Sequence, residues 1–418
     1  MGHFVTLILF TLPLFSLGCF GFHIEETIYK THGGISRRNS RSSRAFNVDD
    51  FGAKGDGRDD DSQAFKKAWA AACSSKAMIP VIVVPKSKIY LLNPITFSGP
   101  CKSNLVLKIF GTIKASPKRS HYAKDGRHWI KFENVENFRV KGGGIINGNG
   151  RIWWENSCKV NEKLPCTLAP TAMTFVGCKN LIVANLWFKN AQKMHVTFQD
   201  SMNVKVLNLL VTAPGNSPNT DGIHVTNTHN IRIKSCDIRT GDDCISIVSG
   251  SKNVEATDIT CGPGHGISIG SLGANNSQAN VTGVRVNRAR LSGTTNGVRI
   301  KTWQGGSGYA KNIIFQNVVM NNVTNPIIVD QNYCDQTKPC QQQVSAVQVS
   351  NIVYKNIRGT SASAVATNFN CSRHFPCKGI VLQDIDLVSE EQGLEAKASC
   401  VNVKLTRKGV VSPHCSKY

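Results

Sequence analysis

The sequence contains no Cys-x-x-Cys pair, and its 11 histidines are scattered rather than paired at ligand spacing, so no metal centre or cofactor is expected. It lacks the recognised nucleic-acid-binding motifs, which argues against DNA or RNA as a partner. Beyond the first twenty residues no apolar run is long enough to span a bilayer. A serine-nucleophile hydrolase is not expected either. Negative charge is scarce: 27 Asp and Glu stand against 49 Lys and Arg, for a formal net charge of +22. Only +3 of this lies in residues 1–44, where five Lys or Arg meet two Glu. Such a surplus attracts polyanions at long range, with a strength that salt weakens. In a chain built for export, an anionic polysaccharide fits better than nucleic acid.

The N-terminus carries the signs of export. Met1-Gly2-His3 leads into an apolar run from Phe4 to Phe20 that Pro13 breaks and small residues close. This pattern reads as a secretory signal over residues 1–21 rather than a membrane anchor. Cleavage after Gly21 removes Cys19 and leaves 14 of the 15 cysteines, an even number that fits disulfides in an oxidising compartment. Cys334–Cys340 and Cys371–Cys377 are natural local bridges. Residues 22–44 are polar and basic, with Arg37, Arg38, Arg41 and Arg44 and no strand pattern, and are expected to form a flexible leader or pro-segment. No linker follows, so residues 45–418 are expected to form one domain. Asn275, Asn280, Asn322 and Asn370 each head a glycosylation acceptor triplet.

Within that domain one short phrase recurs: Gly222-Ile-His-Val, Cys244-Ile-Ser-Ile, Gly266-Ile-Ser-Ile, Gly297-Val-Arg-Ile and Pro326-Ile-Ile-Val. Successive phrases are 22, 22, 31 and 29 residues apart, in the range of coil-forming repeats. The alternation of apolar and polar residues has the period of a strand with one buried face. Ile223, Ile245, Ile267, Val298 and Ile327 are therefore expected to point inward. Stacked coils bring equivalent positions to within about 4.8 Å. Asp221, Asp243 and His265 each stand just before a phrase and should share a column, while Arg299 and Lys301 should face the wet side nearby. Trp129-Ile-Lys-Phe, Ala172-Met-Thr-Phe and His195-Val-Thr-Phe continue the rhythm upstream, and Ala346-Val-Gln-Val and Gly379-Ile-Val-Leu extend it downstream. Between them recur Asn-led strands beginning at Asn180, Asn203, Asn230 and Asn312.

With Asp242 added, the column becomes a groove of three carboxylates, a histidine and two cations. Glycosidic cleavage takes one carboxylic acid to protonate the leaving oxygen and a second carboxylate to activate water or attack directly. Crowding disfavours ionisation of every carboxylate at once and keeps an acid available. Arg299 offers a planar fork and Lys301 a point charge to an anionic substrate.

Asn219-Thr220-Asp221-Gly222, Gly241-Asp242-Asp243, Gly264-His265-Gly266 and Arg299-Ile300-Lys301, in that order, resemble the motifs of glycoside hydrolase family 28, the polygalacturonases, in a plant-like form. The resemblance covers about residues 45–418. It implies an all-β fold, a single-stranded right-handed parallel β-helix of the pectin lyase-like kind. It also implies inverting hydrolysis of α-1,4-linked galacturonan, with Asp242 as general acid, Asp221 and Asp243 holding and activating the water, and His265 supporting protonation of the acid. Arg299, Lys301, Asn219 and Tyr333 would contact the substrate, with no metal and no cofactor. Retention of the first and last motifs favours plain homogalacturonan over rhamnogalacturonan. The implied protein is a monomer, secreted to the extracellular space and cell wall, with pectin as its partner. Internal cutting is expected; an exo-acting form, a calcium-dependent pectate lyase and a non-catalytic pectin-binding wall protein are the alternatives. The stretch from Asp50 to Gly57, then Asp59-Asp60-Asp61 and a helix over Gln63–Cys73, resembles the start of secreted pectin-degrading β-helix enzymes. From the residues alone it is a turn and an Asp-capped helix that covers one end of the solenoid.

Overall fold

Short strands with one apolar face bury that face only by stacking, and the chain does so coil upon coil. The computed structural model describes residues 43–336, 339–391 and 393–415. The expected signal and most of the expected leader lie outside these residues. The first strand among the described residues is Ser43–Asn47, paired with Ile79–Val84, so Ser43 and Arg44 belong to the sheet and not to the leader.

The strands form a nineteen-stranded and an eleven-stranded sheet. In the smaller sheet neighbours pair in parallel along one register column that runs Ile95, Ile130, Met173, Val196, Ile223, Ile245, Ile267, Val298, Ile327 and Thr367. Parallel neighbours joined by crossovers through a second sheet make a right-handed parallel β-helix, the hand that twisted strands favour. The five phrases occupy consecutive coils, and Ile223, Ile245, Ile267, Val298 and Ile327 are fully buried. The downstream extension fails: Ala346–Ser361 and Cys377–Ser389 lie in the larger sheet. The smaller sheet continues instead through Val365–Asn370 and Lys397–Val401, where Thr367 takes an inward place and interrupts the apolar alternation.

Two columns of side chains tie the coils together. Inside, Phe97, Phe132, Phe175 and Phe198 stack with centroids 5.2–5.4 Å apart, and Trp69 and Phe138 close on Phe132 at 5.6 and 5.1 Å. Outside, the Asn residues that head the strands of the larger sheet occupy the bends. Asn180, Asn203, Asn230 and Asn253 all have φ between 53 and 58°, a left-handed conformation that Asn tolerates well. Each amide donates to the Asn one coil earlier, over 3.0–3.2 Å. The Asn positions therefore form a turn ladder and not merely strand starts.

Phe132→Ala removes a fully buried ring from the middle of the stack and should lower unfolding free energy by about 3–5 kcal/mol. Chemical denaturation checks this; a loss under about 1 kcal/mol would mean that the rings do not carry the core at this coil.

Helix Ser62–Cys73 buries Ala64, Phe65, Ala68, Trp69 and Ala72 over the first coils, as a cover for the apolar end requires. Its capping differs from expectation. Asp61 turns back, accepting from the backbone N–H of Lys54 at 2.7 Å and of Gly55 at 3.2 Å, and makes no side-chain cap. Asp60 instead accepts from the N–H of Ser62 at 3.0 Å, because Asp61 is already holding the preceding turn.

Among the described residues there are six disulfides, including the expected Cys334–Cys340 and Cys371–Cys377; Cys73–Cys101 ties the end of the helix to the neighbouring coil, and Cys158–Cys166, Cys244–Cys261 and Cys400–Cys415 complete the set. The even count does not mean full pairing, since Cys178 and Cys236 are free thiols buried in the core. Of the acceptor asparagines, Asn275 and Asn322 are exposed, whereas Asn280 has its Oδ1 buried without a partner. No helix among the described residues is long and apolar enough to cross a membrane.

Candidate active site

Each polar residue of the expected groove enters at the turn before a strand of the smaller sheet or within the strand. Asp221 precedes Ile223–Thr226, Asp242 and Asp243 precede Ile245–Ile247, His265 precedes Ile267–Leu272, and Arg299 and Lys301 lie in Asn296–Trp303. Backbone bonds lock the turns in stagger: the N–H of Gly222 donates to the Asp243 carbonyl at 2.9 Å, and that of His265 to the Asp242 carbonyl at 2.9 Å. Gly222 is required by the close approach of coils, since a methyl there would meet the Cys244 carbonyl oxygen at 2.6 Å.

Asp243 is the most enclosed of the three acids, with its side chain 3% exposed. It accepts from Ser268 Oγ at 2.7 Å, Arg299 Nη2 at 2.8 Å and Lys301 Nζ at 3.0 Å. Arg299 also donates through Nε to Ser268 Oγ at 3.0 Å. The two cations thus do not stand free on a wet face: Lys301 is buried and both are ion-paired, because a buried carboxylate needs compensation. Lys301 Nζ also lies 5.3 Å from the ring centroid of Tyr333, which packs edge-on to Trp303. Burial raises the Tyr333 hydroxyl pKa, so the group stays protonated and able to donate.

Asp242 accepts from His265 Nδ1 at 3.0 Å, from the N–H of Asp243 at 2.7 Å and from Asn219 Nδ2 at 3.4 Å. Burial pushes its pKa up, but the hydrogen bond and charge of His265, with Lys301, outweigh burial and hold it down to about 2. Asp221 goes the other way. Burial, then repulsion from Asp242 and Asp243, raises it well above the ordinary value of 3.8, despite a 2.6 Å bond from Ser246 Oγ. Burial, with the neighbouring carboxylates, on Asp221 and the contact with His265 on Asp242 thus drive the proton affinities of two neighbouring carboxyl groups apart, Asp221 upward and Asp242 downward.

Four residues in the supporting layer were not picked out from the sequence. Ser246 gives its hydroxyl proton to Asp221, so His224 Nδ1, 2.7 Å away, donates to Ser246. Burial, then the charge of Lys193, lowers the His224 pKa to about 4, leaving the ring neutral near pH 7. His195 is fully buried, with Nδ1 2.9 Å from the Asp221 carbonyl oxygen, and burial lowers its pKa to about 4 as well. Ser268 is the fourth. A signal did exist: His224, Ser246, Ser268 and Arg299 are the middle residues of four consecutive phrases and form one register column.

That column also decides the serine question. Gly266-Ile267-Ser268-Ile269-Gly270 carries the letters of a Gly-x-Ser-x-Gly nucleophile motif, so the expectation against a serine nucleophile, which took that motif to be absent, needs a structural reason instead. Ser268 lies inside a strand and not on a strand-to-helix turn, and its hydroxyl is committed to Asp243. Asp242, Asp243 and His265 have ligand atoms within 4.8 Å of one another, but Arg299 and Lys301 already neutralise Asp243, so a metal ion would have to displace two cations.

All eight expected site residues, Asn219, Asp221, Asp242, Asp243, His265, Arg299, Lys301 and Tyr333, line one groove of ≈ 540 Å³. Lys159, Lys193, Met194 and Asp335 join them. Lys159 Nζ pairs with Asp335 Oδ1 at 2.6 Å, linking two segments that are 176 residues apart.

Comparison with known proteins places this geometry among relatives. The family model described as glycosyl hydrolases family 28 matches residues 73–415. The chain is 60% identical over 397 residues to Polygalacturonase QRT2 of Arabidopsis thaliana, covering 95% of this chain and 89% of that protein. It is 62% identical over 385 residues to a polygalacturonase of Malus domestica, covering 92% and 81%. Among solved structures, a hyperthermoactive exopolygalacturonase from Thermotoga maritima superposes with a TM-score of 0.74 at 22% identity, over 87% of this chain and 90% of that one, a likeness of fold.

Proposed function

The chain belongs to glycosyl hydrolase family 28, and we propose that it is a secreted polygalacturonase that cleaves α-1,4-galacturonosidic bonds of homogalacturonan internally and with inversion. The observation that carries this reading is the set of three carboxylates with split proton affinities beside Arg299 and Lys301 in one groove. Hydrolysis needs a proton donor at the leaving oxygen and a base at a water.

Asp242 is the proposed donor, since it is the least enclosed of the three acids and its partner His265 is more exposed still. In the free protein the pair favours an ionised Asp242. When sugar rings fill the groove and expel water, the separated charges of Asp242 and His265 lose solvation, which favours the neutral pair with the proton on Asp242. Asp221 and Asp243 hold the attacking water. A galacturonate carboxylate arriving at Arg299 and Lys301 competes with Asp243 for them and leaves Asp243 a freer base.

Internal cutting is supported by the order of the coils. Lys193 stands on the coil before the carboxylates, and Arg299 and Lys301 share one coil after them, so cations flank the acid on both sides along the stack. A chain bound through both flanks is cut within its length.

Incubation with polygalacturonate tests the reading. It should yield new reducing ends without the ultraviolet absorbance of unsaturated products, and viscosity should fall steeply before many ends appear. Slow viscosity loss at the same number of ends would replace internal cutting with release from the terminus. Absorbing products would replace hydrolysis with elimination, and the anomer first seen by proton NMR reports inversion or retention.

A further inference from the structure

In the catalytic groove Arg299, Lys301 and Lys159 are each ion-paired and Lys193 is the lining lysine without a carboxylate partner among the described residues, so most of the charge surplus lies elsewhere. A second groove, of ≈ 630 Å³, lies on the larger sheet and shares no lining residue with the first. Its floor is one register column, Lys205, Arg232, Glu255 and Arg285, on four successive coils, bordered by the ladder of Asn203, Asn230 and Asn253. Lys205, Arg232 and Arg285 are exposed. Lys205 and Arg285 have no carboxylate partner among the described residues, and Arg232 meets Glu255 only at 3.5 Å with both side chains largely solvated, a pair of little strength.

We infer that this column is a second, non-catalytic binding groove for an extended polyuronate chain running along the stack. The coil step of about 4.8 Å spreads the cations over roughly 14 Å in a straight line, which suits a stiff polymer bearing one carboxylate per sugar ring. Each border amide spends one N–H on the Asn of the coil before and keeps its second N–H for a ring hydroxyl, as a sugar requires and a simple charge does not. The identity of the polymer rests on the function proposed above; the groove itself does not. Holding polymer on the outer sheet would keep the enzyme on its substrate between cuts, which raises the effective concentration of chain at the active groove.

The test compares the triple variant Lys205→Ala, Arg232→Ala, Arg285→Ala with its parent, all three side chains being exposed and outside the catalytic machinery. Binding to immobilised polygalacturonate is measured in an Asp242→Asn background, so that the polymer stays intact. Affinity at low salt should fall on the order of tenfold, while the triple variant carrying native Asp242 turns over short galacturonate oligomers at the parent rate. Unchanged polymer affinity would overturn the inference. An equal fall in affinity for polyglutamate would also overturn it, in favour of a general cationic surface. A parent that binds polygalacturonate through this column yet releases no reducing ends would sink the hydrolase reading alone.

Discussion

Asp242→Asn should lower the rate of reducing-end release from polygalacturonate by about 10²–10⁴-fold, the range that removal of a general acid commands. The amide cannot supply a proton to the leaving oxygen, yet it fills the same volume and still accepts from His265 and from the N–H of Asp243. Circular dichroism and denaturation should therefore report a folded protein. Stability should not rise, because the native carboxylate is held in its ionised form by His265. A carboxyl whose folded pKa lies below its ordinary value contributes stability above that value and loses it as pH falls through the folded one. For Asp242 this window runs from about 3.8 down to about 2. Near-native activity in the variant would remove Asp242 as the acid.

Asp221→Asn should behave in the opposite way toward stability while also abolishing most activity, by about 10²-fold or more. The folded pKa of Asp221 is raised, first by burial and then by Asp242 and Asp243. Its contribution is intact below the ordinary value of 3.8 and is lost as pH rises through the folded value, where a buried charge appears beside two others. Asn cannot ionise and still accepts from Ser246, so the variant should melt higher at neutral and alkaline pH, by on the order of a few degrees, with the gap closing in acid. Scanning calorimetry across pH measures this. A variant less stable than the parent at neutral pH would show that the negative charge of Asp221 is held favourably by Ser246 and Lys301, and that the carboxylates do not share protons as described. Together the two substitutions separate an acid that is held ionised from one that is held neutral.

The repeat phrases announced the coil because a buried strand face leaves a period in the chain, and stacked coils repeat it. The same logic reached Asp221, Asp242, Asp243, His265, Arg299 and Lys301, each in or beside a phrase. It failed where the period breaks: Thr367 hides the coil after Pro326-Ile-Ile-Val, and strands of the larger sheet such as Ala346–Ser361 carry the same alternation. His224, Ser246 and Ser268 went unread because a polar residue at the centre of a phrase has no meaning until it is known which face of the sheet lines the groove. Asn-led strands were visible as strands, but their amide ladder depends on positive φ at each bend, which letters do not carry.

By itself, the sequence determined the winding of the chain and the set of acids and cations that the winding gathers, since both follow from local alternation and from spacing. Only the tertiary structure decided which groups hold protons and which cations are free. That depends on burial and on distances of about 3 Å between residues such as Asp243 and Lys301, 58 positions apart, and neither quantity exists before the coils are stacked.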